Sequence, residues 1–349
     1  MASHRGGVAS DGRNARQALT EARGALESTF DRAVASCGLV EHHRVVAGHG
    51  VRLRFAGNAL VEPVLAALDH LPPIARSDAL TVCIWDTAST GTCLPANPLI
   101  AQRSETTTGP LFRTGDMSFM LQHGDRALSL VDETTATAFH CLPDAAPSIH
   151  HRGAPLRTVF SWWLQRFGCH LVHSGAVGLA DGAVLVTGPS GSGKSTTSLV
   201  CAGAGMRYLG DDYVAIEAGP ATVHSVYRSA KLDRSHRDVH PALLPSTAIG
   251  RPDEKLLGFL TPSEARPLPI RAVVLPRVTD ERRSSARRTT RGRALLAVAP
   301  STVLQVPGGA AATLHVLREV IASVPVYELR LGIDLDDVSG IVREIVENP

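Results

Sequence analysis

The chain has 349 residues, of which 44% are hydrophobic and 19% are charged, and its formal net charge is +2 at pH 7. This length and apolar content are sufficient for two packed domains. The small net charge disfavours a nucleic-acid-binding surface, and no apolar run reaches the roughly 18 to 20 residues that span a bilayer. We therefore expect a globular, cytoplasmic protein with neither a membrane nor a nucleic acid among its partners.

The N-terminal stretch, residues 1–14, is rich in Gly, Ser and Arg and lacks the apolar core of a secretory signal. Its composition predicts a disordered tail. The six cysteines contain no Cys-x-x-Cys pair and no Cys/His spacing typical of zinc, so we expect reduced thiols.

Residues 15–150 are predicted to form a small mixed α/β domain. Their hydrophobic periodicity predicts helices at 15–36 and 60–71 and strands at 45–46, 51–55, 80–85 and 127–131. No catalytic constellation is visible there. We expect this domain to position the acceptor or a partner protein, and a purely structural appendage is an equally open interpretation. The proposed boundary is 147–155, and Trp162-Trp163 opens the next domain on an amphipathic helix.

A histidine precedes the most informative motif of the chain. The run 170–178 reads as one strand, which a turn at Asp181-Gly182 joins to the apolar run Ala183–Thr187. This predicted hairpin brings His173 within reach of the loop that follows. The histidine is a candidate for hydrogen bonding to a phosphate or for proton transfer, and a structural role is the alternative.

The residues after that strand match every fixed position of the phosphate-binding loop Gly-x-x-x-x-Gly-Lys-Ser/Thr. A helix is predicted to begin at Ser195. Lys194 is the candidate for the β- and γ-phosphates and for catalysis, and Ser195 is the candidate magnesium ligand. Thr196 is expected to support the helix start. We therefore expect a nucleoside triphosphate, with Mg²⁺, to be bound by Gly188, Pro189, Ser190, Gly191, Ser192, Gly193, Lys194, Ser195 and Thr196.

Two adjacent carboxylates lie in the next strand-like run, 207–216. Neighbouring side chains of a strand point to opposite faces, so Asp211 and Asp212 can take different roles. One carboxylate can accept the proton of an attacking hydroxyl while the other holds the metal. The spacing leaves open which aspartate does which, and two solvated turn residues are the alternative reading.

Two further features of the C-terminal half bear on function less directly. Strands are predicted at 272–275 and 294–298, with an arginine-rich loop between them that either attracts an acidic peptide or closes over the triphosphate, and a solvated, mobile loop is the alternative. Lys255, in a charged segment, is either a phosphate contact or a solvated side chain.

The ordered set of His173, the phosphate loop and the paired Asp211-Asp212 resembles the catalytic domain of the HPr kinase/phosphorylase family and its kinase-like relatives in bacterial biosynthetic clusters. This resemblance implies an α/β fold: a phosphoenolpyruvate-carboxykinase-like P-loop kinase domain over residues 155–349, beside the smaller N-terminal domain. It also implies that His173 lies beside the γ-phosphate and that Asp211 and Asp212 serve as base and metal partner.

The chain departs from the full family pattern at Pro189 and at Ser195-Thr196, and it has no Leu-Glu-Ile-Arg-Gly segment. Reverse phosphorylase activity, HPr as acceptor and a hexamer are therefore not expected to follow, although a homo-oligomer stays open. The expected function is an ATP-dependent kinase acting on a Ser/Thr hydroxyl of a peptide or protein. The alternatives are a kinase of a small hydroxylated metabolite and a non-catalytic, nucleotide-responsive binding protein.

Overall fold

The computed structural model describes residues 7–73, 80–95, 111–122, 124–261, 265–305 and 308–349. The chain divides into two compact units. The first contains Met1–Leu65, Pro73–His151 and Thr158–Trp163, and the second contains Ala66–Pro72, Arg152–Arg157 and Leu164–Pro349. The chain thus passes between the units several times, and one of these passages falls within the boundary predicted at 147–155.

The first unit is built on a seven-stranded mixed sheet with the strand order β1-β2-β3-β7-β6-β5-β4. The pairs β2–β3 and β3–β7 are parallel and the other neighbours are antiparallel. Its strands are β1 (Leu39–Val46), β2 (His49–Ala56), β3 (Leu80–Asp86), β4 (Leu111–Thr114), β5 (Met117–Leu121), β6 (Leu128–Asp132) and β7 (Thr137–Leu142).

A long N-terminal helix, Gly7–Cys37, covers this sheet. Its buried apolar residues recur at helical spacing, and Phe30 packs edge-on against Trp85 with ring centroids 5.8 Å apart. The helix begins at Gly7, whereas composition predicts disorder through residue 14. No proline interrupts the segment, so the helix anchored by Leu19 and Leu26 continues towards the N-terminus. Within the described residues before 166, the other helices are Val61–Leu68, Thr87–Thr90, Ile149–Gly153 and Arg157–Gln165.

The second unit contains a nine-stranded mixed sheet and a separate two-stranded pair. Seven strands follow the order β11-β9-β10-β16-β13-β12-β8, and β18 pairs with both β16 and β17. The strands are β8 (Cys169–Val172), β9 (Gly175–Gly178), β10 (Ala183–Val186), β11 (Arg207–Gly210), β12 (Val214–Glu217), β13 (Thr222–Ser225), β14 (Ser229–Leu232), β15 (Leu256–Phe259), β16 (Leu268–Val278), β17 (Ser285–Arg288) and β18 (Val326–Leu331).

Alternating residues of this sheet supply two apolar layers. Along β10, Ala183 and Leu185 belong to one cluster, whereas Val184 and Val186 belong to the other. Both faces of the central strands are therefore buried. The helices of this unit are Lys194–Gly203, Arg234–Val239, Arg291–Gln305, Ala310–Ser323 and Asp336–Glu347, with a 3₁₀ turn at Pro241–Leu243.

Three sequence-based element predictions are wrong in detail. The run 170–178 forms two strands, β8 and β9, which lie in different parts of the sheet. The run 207–216 likewise breaks into β11 and β12, because the backbone turns at 211–213. Residues 294–298 lie in the helix Arg291–Gln305 instead of a strand, and Pro300 lies inside that helix.

The fold is mixed α/β, as predicted, and none of the helices within its described ranges is long and apolar enough to cross a membrane.

Candidate functional site

The predicted phosphate loop lies between β10 and a helix, Lys194–Gly203, which we call the loop helix. The backbone leaves the sheet at Thr187, whose N–H donates to the Val274 carbonyl at 3.0 Å. Gly191 and Gly193 then adopt φ values of +76° and +101°, which side-chain-bearing residues rarely adopt. A Cβ at Gly193 would also overlap the Leu331 side chain. Both the backbone conformation and the close packing therefore require glycine at 193.

The Lys194 ammonium folds back onto the loop. Its Nζ donates to the carbonyls of Gly188 at 2.8 Å and Pro189 at 3.1 Å, and the residue is only 8% exposed. Burial lowers the pKa of Lys194, and the charges of Asp211 and Asp212 oppose that shift. The lysine thus bridges the loop and faces the paired carboxylates.

The other predicted loop residues divide by exposure. Pro189, Ser190 and Gly191 are exposed, whereas Gly188 and Thr196 are buried. The half-buried loop residues are Ser192, Gly193 and Ser195. At the helix start it is the Thr197 hydroxyl, not that of Thr196, that donates to the Gly193 carbonyl, at 2.9 Å. Support of the helix start therefore falls one residue later than predicted.

Asp211 lies in the turn between β11 and β12 and is 1% exposed. Its Oδ2 accepts a hydrogen bond from the backbone N–H of Lys231 at 3.1 Å, and its Oδ1 is buried with no hydrogen-bond partner among the described residues. Burial, and then the charge of Asp212, raises the pKa of Asp211 to about 7, against the effects of the Lys231 backbone and the Ser195 hydroxyl. The structure therefore brings Asp211 next to the predicted metal ligand Ser195.

Asp212 has a different environment. Its Oδ2 accepts from Lys231 Nζ at 2.6 Å, and its side chain is 25% exposed. Burial alone would raise the pKa of Asp212, but the Lys231 charge and His173 hold it well below its usual range. The two adjacent carboxylates thus have pKa values shifted in opposite directions, an arrangement that suits two different chemical roles.

Lys231, on β14, is the site residue that sequence reasoning missed. It is 7% exposed, and Gly153 makes room for its side chain, because a Cβ there would come within 2.9 Å of Lys231 Cε. A lysine is rarely buried unless it is paired. One signal was available: of the 35 Lys and Arg residues only three are lysines, Lys194, Lys231 and Lys255.

The third lysine lies at the edge of this region. Lys255 is partly exposed, its Nζ lies 3.4 Å from Asp233 Oδ2, and its charge is one of the influences that lower the pKa of Lys194. Each lysine of the chain thus interacts with at least one aspartate: Lys194 with Asp211 and Asp212, Lys231 with Asp212, and Lys255 with Asp233.

His173 occupies the break between β8 and β9. Its backbone N–H donates to the Thr302 hydroxyl at 3.0 Å, and its ring lies 5.3 Å from the ring of Tyr213. The Nε2 atom is 3.8 Å from Asp212 Oδ1, an ion-pair distance only if the ring is protonated. Its Nδ1 is buried and has no hydrogen-bond partner within the described residues. The structure therefore places the His173 ring beside the Asp212 carboxylate.

Tyr213 packs against the His173 ring and is itself held by hydrogen bonds. Its hydroxyl accepts from Arg157 at 2.6 Å and donates to Gln305 at 2.5 Å, and the Arg157 guanidinium lies over the tyrosine ring, 4.9 Å from its centroid. Burial raises the pKa of Tyr213 to about 12. The Tyr213 phenol therefore stays protonated. Its two hydrogen bonds restrict the orientation of the tyrosine ring against which His173 packs.

The arginine-rich segment is more ordered than a solvated loop. Arg287 and Arg293 both pair with the buried carboxylate of Glu328, at 3.0 and 2.5 Å, and Arg288 lies over the Tyr327 ring. These contacts hold β17 and the following helix to β18. At least these three arginines serve packing within the unit.

Comparisons with known proteins add little to this geometry. No family model and no curated protein matches the chain. Among solved structures, the chain is similar to the HPr(Ser) kinase/phosphatase from Coxiella burnetii, with 11% identity, a TM-score of 0.24, and coverage of 51% of this chain and 95% of that one. This is a distant structural relationship.

Proposed function

We propose that this protein is a magnesium- and ATP-dependent phosphotransferase that transfers the γ-phosphate to a Ser or Thr hydroxyl of a peptide or protein. The observation that carries the proposal is the meeting of Asp211 and Asp212, in two different environments, beside the Lys194-Ser195 start of the loop helix. A protein that only binds nucleotide has less need of a second carboxylate beside the metal-ligand position.

The phosphate loop would hold the donor nucleotide. The first turn of the loop helix has backbone N–H groups without helical partners, and these, with the positive end of the helix dipole, favour phosphate oxygens. The Lys194 ammonium has two carbonyl partners in the loop. It would exchange them for β- and γ-phosphate oxygens, which carry full negative charge.

Ser195 and Asp211 are the residues that would hold the magnesium ion. Hydroxyl and carboxylate oxygens are the ligands that Mg²⁺ prefers, and the buried Oδ1 of Asp211 has no partner among the described residues. When bound, Mg²⁺ neutralises the charge that develops on the phosphates. Assigning Asp211 to the metal also explains how a carboxylate buried this deeply would be stabilised in its ionised form.

Asp212 is then the base. It is the more exposed of the two, and the Lys231 ammonium keeps it ionised. As the acceptor oxygen bonds to the γ-phosphorus, the hydroxyl proton passes to Asp212, and the bond from that phosphorus to the β–γ bridging oxygen breaks to leave ADP. Lys231 is a positioning residue in this scheme, because it acts through Asp212.

His173 would donate to the transferred phosphoryl group. Its ring is fixed by the packing against Tyr213 and by the Thr302 contact at its backbone, and Nε2 faces Asp212. A fixed imidazole next to the base is suited to a developing negative charge. The preference for a peptide or protein hydroxyl over a small metabolite comes from the motif resemblance.

The test is mass spectrometry of reactions that contain the full chain, Mg-ATP and candidate peptides, proteins or hydroxylated metabolites made by neighbouring genes. We expect one added phosphate on a Ser or Thr of a peptide or protein, absent with Lys194→Ala and Asp212→Asn. A phosphorylated metabolite would show that the protein is a kinase whose acceptor is a small molecule and not a peptide or protein. ATP binding with no phosphorylated product from any acceptor would contradict the proposal and favour a nucleotide-responsive binding protein.

A further inference from the structure

A second group of reactive side chains lies at the other end of two strands that frame the candidate site. Cys169 on β8 and Glu217 on β12 are direct cross-strand partners. His224 on β13 pairs with Ala215, two residues before Glu217, so both side chains lie on one face of the sheet. One ligand atom from each of the three residues lies within 4.8 Å of the others.

The three side chains of this group differ in exposure. His224 Nε2 is a buried atom that lies 3.0 Å from Glu217 Oε1, within ion-pair distance if the ring is protonated. The Cys169 thiol beside it is fully buried, whereas the Glu217 side chain is 29% exposed. The Cys169 thiol and the His224 Nε2 atom are thus shielded from solvent, whereas the Glu217 carboxylate is partly exposed.

We propose that Cys169, Glu217 and His224 form a binding site for a zinc-class divalent ion. Thiolate, imidazole and carboxylate are the donor types that bind Zn²⁺, which accepts three protein ligands and leaves a fourth position for water. Binding would deprotonate the Cys169 thiol, form the sulfur–metal bond and release one proton to solvent.

The site would be separate from the phosphate loop. β8 runs from Cys169 towards His173, and β12 runs from just after Asp212 to Glu217, so roughly 13 to 17 Å of strand separates the two groups at about 3.3 Å per residue. A metal there would link β8 to β12 and β13 at the ends of β8 and β12 that lie away from His173 and Asp212. The metal-binding proposal does not rest on the proposed kinase activity.

The test is Co²⁺ titration of the full chain after chelator treatment and dialysis, followed by absorbance spectroscopy. We expect one equivalent of Co²⁺ to produce a thiolate-to-cobalt charge-transfer band that Zn²⁺ displaces. Cys169→Ser should abolish the band, and Glu217→Gln and His224→Gln should weaken affinity by at least about a hundredfold, the upper end for loss of an outer-shell partner. Cys201→Ser, which alters another buried cysteine, is the matched control and should keep the band.

A wild-type protein that binds no stoichiometric Co²⁺ or Zn²⁺ would overturn the proposal, and so would a thiolate band that persists in folded Cys169→Ser. Circular dichroism of each variant identifies loss of folding. If Cys169→Ser fails to fold, the wild-type titration and the partly exposed Glu217→Gln variant decide the question. Loss of kinase activity with normal metal binding would leave this site intact and count only against the phosphotransferase.

Discussion

The Lys231 ammonium lies 2.6 Å from Oδ2 of Asp212, while the backbone N–H of the same lysine donates to Asp211 at 3.1 Å. One residue therefore positions both carboxylates. It does so asymmetrically, because its ammonium contacts Asp212, whereas Asp211 receives its backbone N–H and a smaller effect of its charge. Burial, and then the charge of Asp212, raises the pKa of Asp211, whereas the Lys231 charge is the largest of the effects that lower the pKa of Asp212.

Lys231→Met should separate positioning from nucleotide binding. Removing one partner of a buried ion pair costs about 3–5 kcal/mol, so the free energy of unfolding should fall measurably. The pKa of Asp212 should rise because its main cationic neighbour is gone. We expect kcat to fall by about a hundredfold or more while ATP affinity changes little, as measured by steady-state kinetics and calorimetry.

Lys255→Met is the matched control for that variant. Lys255 is partly exposed and its partner Asp233 is 51% exposed, so its ion pair contributes about 0–1 kcal/mol. Equal losses of kcat in the two variants would mean that Lys231 acts only through general charge, and the positioning role would be wrong.

Gly193→Ala should damage the phosphate loop more than Gly191→Ala. Both residues have positive φ, which costs a side-chain-bearing residue about 1–2 kcal/mol. Only at Gly193 would the new methyl group also meet the Leu331 side chain, and overpacking adds about 1–3 kcal/mol. Thermal unfolding should therefore rank the variants, and ATP affinity should be lost mainly in Gly193→Ala. Equal effects would indicate that backbone strain alone matters.

Asp211→Asn should stabilise the magnesium-free protein above pH 7 while it abolishes activity. The folded pKa of Asp211 is about 7, against 3.8 for an ordinary aspartate, so between these values the folded state holds a proton that the unfolded state has lost. The free energy of unfolding consequently falls as pH rises through this window, by a few kcal/mol. Asparagine cannot ionise, so this part of the pH dependence should vanish in denaturant titrations.

Asp212→Asn provides the control of opposite sign. Its folded pKa is lowered, so its ionised form stabilises the folded state at every pH above the ordinary aspartate value. That variant should lose stability near neutral pH. Destabilisation of the same size in Asp211→Asn would contradict the buried, proton-binding character assigned to Asp211.

The strand–loop–helix order around Lys194 could be predicted from sequence because its signal is local, and the phosphate-binding role of the loop stays a prediction. The strand–loop–helix order around Lys194 and the two adjacent aspartates are each contiguous in sequence, and few other structures fit these patterns. The same locality explains one error. Hydrophobic alternation favours continuous strands through His173 and Asp211, but turns interrupt both runs, and the candidate site residues lie in these turns.

Lys231 could not be assigned from its surroundings in sequence. It follows Asp212 by 19 residues, in a short strand without a motif, and its role depends on tertiary contacts and on the space left by Gly153. The helix at 291–305 was missed for a related reason. Ala294–Val298 is an apolar run short enough to be a strand, and burial against the sheet rather than intrinsic periodicity makes it helical.

Phosphotransfer and the role of Asp212 as base can be tested together in a single-turnover reaction of the full chain with Mg-ATP and an acceptor, in which ADP and phosphorylated acceptor are both quantified. The wild-type protein should form the two products in equal amounts. Asp212→Asn should bind ATP normally and form both at least about a hundredfold more slowly. An Asp212→Asn variant that transfers phosphate at the wild-type rate would contradict the assignment of the base, and ADP formed without phosphorylated acceptor would contradict phosphotransfer itself.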